Sequence, residues 1–458
     1  MEAKEKIAAL MARARDAQEK IEYWSQDQVD TLTKALVWDI VKPGIIEKVA
    51  QIAVDESKLG NYQGKYTKLQ KKLRGALRDM TGKKSVGIIE EDEGKGLIKI
   101  AKPIGVVGAL IPCTNPEATP VFMAISAIKG RNAIIMAPHP RTKKTNTFIV
   151  NILRATLKKY GAPEDLLIGL EEPSMEDSGE LMKQCDLIVA TGGAPLVKVA
   201  YSSGTPAYGV GAGNAVIVVD ETADIADAAK KIKLSKTFDF ATSCSSDNSI
   251  VVVDKVYDSL MAALQKEGGY IVNQDEKKKL QATLWPDGHL SRETTAQSPE
   301  RIAELAGIDL PKDRLFFMVP ETGVGPDAPF SGEKMCVVLA VYRVSNFDAA
   351  IQTVNEITGY QGMGHSCGLY STDRKHIVEI GLRTKVSRIM IRQPQCYGNT
   401  GNWENGMPFT MTLGCGSWGG NITTENISWK HMINTTWVSL PIKENIPDDK
   451  ILFEGVMD

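Results

Sequence analysis

Short aliphatic runs, rich in Val and Ile and unbroken by polar positions, recur along this chain with helix-like segments between them. In the first half they are "NAIIMAP" (132–138), "DLLIGL" (165–170), "DLIVATGG" (186–193) and "NAVIVVD" (214–220). A strand with one wet face alternates apolar and polar residues, so an unbroken run calls for cover on both faces. Amphipathic helices between such runs supply that cover and predict a parallel, doubly wound α/β sheet. A second unit of the same kind starts near Cys244, with candidate strands "SIVVVD" (249–254), "RLFFMV" (314–319), "CVVLAVYRV" (336–344) and "RIMIRQ" (388–393).

The flanks read differently. Residues 1–85 carry helical spacing and strong helix formers, as in "AALMARARDAQEKIEYW" and "TKLQKKLRGAL". "GLIKIAKPIGVVGALIP" (96–112) alternates in its first half and predicts strands of a hairpin arm. Strand character returns at "TTWVSLPI" (435–442), which is expected to pair with that arm or with another subunit. The resulting division is a first domain over 1–240 with 96–112 contributing to the arm, a second over 241–425, and a C-terminal segment over 426–458.

Composition narrows the function. The formal charge of −2 over 458 residues offers no basic field for nucleic acid, so a small-molecule partner is expected. The seven cysteines are scattered, odd in number and without CxxC, which argues against a disulfide framework or a zinc knuckle; no metal site and a reducing, cytoplasmic compartment are expected. The N-terminal residues place apolar positions at helical spacing among charges, unlike a signal peptide, and no run approaches the roughly 20 apolar residues that span a bilayer.

Several local patterns can carry chemistry, and each also has a structural reading. "VATGGAPLVKVAYSSG" (189–204) sets Gly192 and Gly193 between a strand and a helix, which lets a backbone approach a pyrophosphate or simply makes a tight turn. "GVGAGN" (209–214) is a second glycine turn. Asn115 in "IPCTNPEATP" can donate to an oxyanion or cap the next helix. Cys244 in "TSCSS" is a nucleophile or a buried spectator; its polar setting suits access. His365 in "GMGHSCG" is an acid/base or a structural histidine, its glycines marking a crowded backbone or a mobile loop. Glu333 in "SGEKMC" is a ribose ligand or an exposed charge.

Taken in order, IPCTNP, GRNAIIMAPHPRTKK, ATGGAPLVKVAYSSG, GVGAGN, SKTFDFATSCSSDNS, GEKMCVVLAVY, GHS and TLGCGSWGGN resemble the CoA-acylating branch of the aldehyde dehydrogenase superfamily. The likeness is greatest to acylating succinate-semialdehyde and sulfoacetaldehyde dehydrogenases and to the aldehyde dehydrogenase half of bifunctional aldehyde-alcohol dehydrogenases. It covers nearly the whole chain. The resemblance implies a Rossmann-type NAD(P)-binding domain, an α/β catalytic domain and a β oligomerisation arm, in a homo-oligomer, dimer or tetramer. It implies Cys244 as nucleophile, with Asn115 and the Cys244 N–H as oxyanion donors and His365 nearby. Gly192 and Gly193 would border the dinucleotide, and Glu333 would bind the nicotinamide ribose. The chain ends at Asp458, so no iron-dependent alcohol dehydrogenase domain is expected, and the lack of an extra leading helix argues for free cytoplasm rather than a microcompartment.

One absence bears on mechanism. Hydrolytic members have a water-activating glutamate where this chain reads Gly209-Val210-Gly211-Ala212. A thioester at Cys244 would lack a base for water, whereas the CoA thiol is a far better nucleophile near neutral pH, so acyl transfer to CoA is expected. Two departures remain. Relatives that anchor the adenosine ribose with lysine and glutamate differ from Ala137-Pro138-His139-Pro140, followed here by Arg141, Lys143 and Lys144, so either NAD or NADP fits. Arg392 in "IRQPQCYGN" stands where asparagine is usual; it would grip an anionic aldehyde such as sulfoacetaldehyde or succinate semialdehyde, or else make a surface ion pair. Acetaldehyde or propionaldehyde as substrate, an acyl-phosphate reductase and a silent dinucleotide-binding protein are the competing readings.

Overall fold

The aliphatic runs do become parallel strands, in two separate sheets of a computed structural model that describes residues 2–456. A hairpin of β1 (Gly87–Asp92) and β2 (Leu97–Pro103) comes first, followed by β3 (Val106–Ile111), β4 (Ala133–Pro138), β5 (Leu167–Gly169), β6 (Leu187–Thr191) and β7 (Ala207–Val210). The last five form a parallel sheet in the order β5-β4-β3-β6-β7. Next come β8 (Ala215–Val219), β9 (Asp247–Val253), β10 (Gly269–Ile271), β11 (Phe316–Pro320), β12 (Val338–Val344), β13 (Cys367–Tyr370) and β14 (Ile389–Ile391). These build a second parallel sheet, in the order β10-β11-β12-β9-β8-β13-β14. β15 (Ile433–Ser439) returns to pair antiparallel with β2, Thr436 opposite Ile100.

Two boundaries differ from the sequence reading. "NAVIVVD" forms β8, and its residues Val216–Val219 pack in the core of the second sheet, so the chain changes sheets between Val210 and Ala215 rather than at 240/241. An aliphatic run buried on both faces looks the same in either sheet; only non-local pairing decides its neighbours. The segment 96–112 also splits. β2 belongs to the three-stranded arm, while every residue of β3 is buried at the centre of the first sheet.

The N-terminal region is helical, as its spacing predicts: Ala3–Glu19, Gln26–Val41, Ile46–Ser57 and Tyr62–Lys68. Ser25 starts the second helix with a reciprocal capping box, its Oγ accepting from Gln28 N at 3.3 Å while Gln28 Oε1 accepts from Ser25 N at 2.9 Å. Ile7, Met11, Leu36 and Ile40 from these helices join the first sheet's core. The helix beginning at Tyr62 runs on through a π turn, Leu69–Leu73, into Arg74–Met80.

Parallel order then determines which loops meet. β12, β9, β8 and β13 are neighbours, so the residues leading into them share one edge: Glu333, Cys244, Asn214 and His365. In the first sheet the chain leaves β3 for β4 and β5 on one side, then crosses to β6 and β7 on the other. Ligands of open α/β sheets bind outside the carboxyl ends of the strands at such a reversal. Asn115 follows β3, and Gly192 follows β6.

Gly64 lies inside the helix Tyr62–Lys68, where a Cβ would come within 2.7 Å of Asp239 Cγ. By helix propensity Gly64→Ala would gain about 1 kcal/mol. Overpacking instead costs about 1–3 kcal/mol, and we expect the urea midpoint to fall. A higher midpoint would contradict this packing.

Candidate functional site

The turn that carries Cys244 is unusual before any chemistry is considered. After the helix Ile225–Thr237, three consecutive non-glycine residues adopt the left-handed region: Asp239 (φ 50°), Phe240 (φ 49°) and Ala241 (φ 61°). Each such residue costs about 1–3 kcal/mol and persists only when its surroundings hold it. Asp239 supplies that hold. Its Oδ1 accepts from Asn61 N at 2.8 Å, and its Oδ2 accepts from Lys68 Nζ at 2.5 Å, Thr242 Oγ1 at 2.5 Å and Lys65 Nζ at 3.0 Å. Side chains at positions 60 or 64 would run into this carboxylate, and both are glycine. Ser246 N then donates to Ser243 O at 2.9 Å, closing a tight bend around a half-buried Cys244.

His365 approaches from the loop before β13, its Nε2 3.3 Å from Cys244 Sγ. The glycines around it mark a crowded backbone. Gly362 (φ 83°) and Gly364 (φ 81°) are both left-handed, and a Cβ on the second would meet the Cys415 carbonyl. Buried polar contacts fix the imidazole: Nδ1 lies 2.8 Å from Ser366 Oγ, which accepts from Asn399 Nδ2 at 2.9 Å, and the His365 carbonyl accepts from Arg388 Nη1 at 2.9 Å. With Nδ1–H donated to Ser366, Nε2 presents a lone pair to the thiol. Burial and the nearby Arg388 charge lower the His365 pKa to about 3, so the ring is neutral.

The thiol is not spontaneously activated. Burial, reinforced by the Glu333 carboxylate, pushes Cys244 up to about 12. Burial also raises Glu333 to about 8, against the Gly213 N–H that donates to its Oε1 at 3.1 Å. The "GVGAGN" turn presses on the cysteine from the other side, where a Cβ at Gly213 would run into the Cys244 carbonyl. The Cys244 N–H donates to no protein acceptor among the described residues.

Asn115 is half-buried at the carboxyl end of β3, and its Oδ1 accepts from Lys68 Nζ at 2.6 Å. Its Nδ2 donates to Thr114 Oγ1 at 3.3 Å, with a second hydrogen free. At the same sheet edge, Gly192 packs on Leu196, and the helix Ala194–Tyr201 opens at Gly193 without a side-chain cap. A glycine turn feeding uncapped N–H groups into the crevice beside β3 fits a dinucleotide phosphate. Pro138 ends β4; the His139 Nδ1 beyond it accepts from Arg141 N at 3.1 Å, and Arg141 Nη2 donates to Ser57 O at 2.7 Å.

Arg392 does not join this group. It is exposed and follows the carboxyl end of β14, its N–H donating to Leu369 O at 2.9 Å, so it lies at the strand edge opposite the one His365 and Cys244 share. A carboxylate held there would be a strand's length from the sulfur. The sequence reading missed Lys65, Lys68, Glu117, Asp239 and Arg388, all buried. Gly60 and Gly64 within helix-forming sequence were the available signal for the first four.

The aldehyde dehydrogenase family model matches residues 2–289. The acylating sulfoacetaldehyde dehydrogenase of Cupriavidus necator is 43% identical over 98% of this chain and 91% of its own. Among solved structures, an acetylating aldehyde dehydrogenase from Geobacillus thermoglucosidasius is 33% identical, covers 97% of this chain and 98% of its own, and superposes with a TM-score of 0.94. A Rhodopseudomonas palustris propionaldehyde dehydrogenase, described with bound CoA and an acylated cysteine, is 26% identical, covers 95% and 97%, and has a TM-score of 0.84.

A thiol raised to about 12 should alkylate slowly at neutral pH. We expect iodoacetamide labelling of Cys244, followed by peptide mapping, to rise with pH without levelling by pH 10. Glu333→Gln, which removes the charge that develops above about pH 8, should speed labelling there. A plateau below pH 9 in the unaltered protein would contradict this electrostatic picture.

Proposed function

Because the chain belongs to the aldehyde dehydrogenase family, we propose that it oxidises a small aldehyde to an acyl-CoA through a Cys244 thioester, with NAD or NADP as hydride acceptor. One observation carries the preference for CoA over water. At Gly209, the position where the family resemblance puts a water-activating glutamate, a Cβ would lie 2.7 Å from Val197 Cγ1, and the Gly209 N–H is taken by Tyr201 Oη at 3.0 Å. No side chain fits there to prepare water.

In this reading His365 Nε2 takes the thiol proton and Cys244 Sγ attacks the aldehyde carbon. The Asn115 Nδ2–H and the Cys244 N–H receive the developing oxyanion, each such donor being worth on the order of 10²–10³ in rate. A nicotinamide held at this site would supply the two-electron acceptor for the hydride that the adduct gives up on becoming a thioester. The CoA sulfur, its own thiol proton released to solvent, then attacks the thioester carbonyl and displaces Cys244, whose sulfur regains its proton from His365, so that one proton is released per turnover. Gly192, Gly193, Pro138, His139 and Arg141 would hold the dinucleotide and Glu333 its nicotinamide ribose. The reaction is reversible.

The substrate we propose is an anionic aldehyde, sulfoacetaldehyde or succinate semialdehyde. The 43% identity to a sulfoacetaldehyde dehydrogenase supports it. With Arg392 at the far edge, we assign the recognising cation to half-buried Lys71, whose Nζ lies 4.9 Å over the Tyr397 ring. That ring packs 4.7 Å from Phe238, at the start of the Cys244 turn. We also propose a homo-oligomer in a reducing cytoplasm. The open edge of β15 and the exposed Trp437, Leu440 and Ile442 support self-association.

Steady-state assays test this. With sulfoacetaldehyde and either nicotinamide, cofactor reduction should require CoA and vanish in Cys244→Ala; equal rates without CoA would refute acyl transfer. Lys71→Met should lower kcat/KM for sulfoacetaldehyde by about tenfold, the scale of one charge-assisted bond, and leave acetaldehyde nearly unchanged. Equal losses for the two aldehydes would remove Lys71 from the substrate site.

A further inference from the structure

We propose that Lys68 is the positioning residue of the oxyanion site, one ammonium that both orients the Asn115 amide and anchors the turn presenting the Cys244 N–H. The inference rests on Asn115 being an oxyanion donor, as proposed above.

A carboxamide can turn either its oxygen or its NH₂ group toward a reacting carbonyl, and only the NH₂ group can stabilise an oxyanion. An ammonium has three donors and no acceptor, so it bonds one orientation of the amide and repels the other. The contact of Lys68 Nζ with Asn115 Oδ1, at 2.6 Å, therefore commits Nδ2 to the opposite direction. The other two donors of the same ammonium reach Asp239 Oδ2 at 2.5 Å and Thr242 Oγ1 at 3.1 Å. Those residues belong to the turn whose next members are Ser243 and Cys244. One atom thus links the two halves of the oxyanion site, which come from different sheets.

The surroundings make Lys68 hard to replace. It is 4% exposed, and burial disfavours its charge. Asp239 and, at 3.8 Å, Glu117 oppose that penalty. Neighbouring Lys65 braces the same elements, donating to Thr114 O at 2.6 Å and contacting Asp239 Oδ2 at 3.0 Å. Directly after Lys68 the helix widens into the π turn Leu69–Leu73, a feature frequent at functional sites. A merely structural ion cluster would account for burial and pairing. It would not require one donor to be spent on the oxygen of Asn115.

A double-mutant cycle separates the two roles. Lys68→Met, Asn115→Ala and the double variant are compared by the pre-steady-state burst of reduced nicotinamide, with the cofactor KM and the thermal midpoint measured alongside. Lys68→Met alone is expected to slow the burst on the order of 10²-fold, the effect of losing or misplacing one donor, with the cofactor KM unchanged. In the Asn115→Ala background it should cost less than about threefold more, because nothing is left to orient. Additive losses, or a burst at the unaltered rate in Lys68→Met, would overturn the proposal. An unaltered burst in Asn115→Ala would instead overturn the oxyanion role of Asn115 itself. Should Lys68→Met not fold, Lys68→Gln is the second variant: its side chain is uncharged and one atom shorter than that of lysine, so the 2.6 Å bond to Asn115 Oδ1 is lost. The same non-additivity is expected of it, and additivity there would be equally fatal.

Discussion

The carboxylate of Asp239 is the contact on which the site depends. It lies where the N-terminal helices, the loop after β3 and the turn before β9 converge, and it collects Asn61 N–H, the Lys65 and Lys68 ammoniums and the Thr242 hydroxyl. Charge-assisted hydrogen bonds contribute about 1.5–3 kcal/mol each. Three left-handed residues in series cost about 1–3 kcal/mol each, so the two sums are of the same size. The strained turn is therefore stable only while the cluster is intact. Removing one partner would leave a buried charge uncompensated, which typically costs 3–5 kcal/mol.

This arrangement explains why the N-terminal helices matter to chemistry performed by loops of both sheets. Parallel order brings Glu333, Cys244 and His365 to one strand edge, and the reversal between β3 and β6 brings Asn115 and the Gly192 turn to another. The sheets are joined directly by the short link 211–214 between β7 and β8. The lysines of the helix Tyr62–Lys68 add a second tie between those edges, by bonding Thr114, Asn115, Asp239 and Thr242 together. The electrostatics follow from the same burial. A neutral His365 faces a neutral thiol, and in the proposed reaction the sulfur becomes nucleophilic when its proton passes to Nε2 across the 3.3 Å contact between the two heavy atoms.

Much of this was legible in the sequence, for physical reasons. Unbroken runs such as 249–254 and 336–344 point to buried parallel strands, since a strand with one wet face would alternate and their length and β-branched residues disfavour a buried helix. The short strands Ala207–Val210, Gly269–Ile271 and Cys367–Tyr370 carry no periodicity, each having only three or four residues, one of them glycine. β8 reads as a strand in the sequence but its sheet does not, because pairing partners leave no local trace. At the site, Cys244, His365 and Asn115 stood out by residue type beside turn chemistry. Lys68 and Asp239 did not, because a lysine at helical spacing reads as a solvated face until its partner, 171 residues away, is known. Arg392 shows the converse: an unusual charge in sequence, at φ 52°, that the sheet places at the strand edge opposite Cys244.

In the proposed reaction Cys244 carries the acyl group, and only a second thiol unloads it well. Mixing the protein with aldehyde and nicotinamide cofactor in the absence of CoA, then quenching and mapping peptides by mass spectrometry, tests this most directly. One acyl adduct is expected, on the peptide containing Cys244, that survives in water and disappears as acyl-CoA forms once CoA is added. An adduct on another residue, or one lost to free acid as quickly before CoA as after it, would contradict the claim.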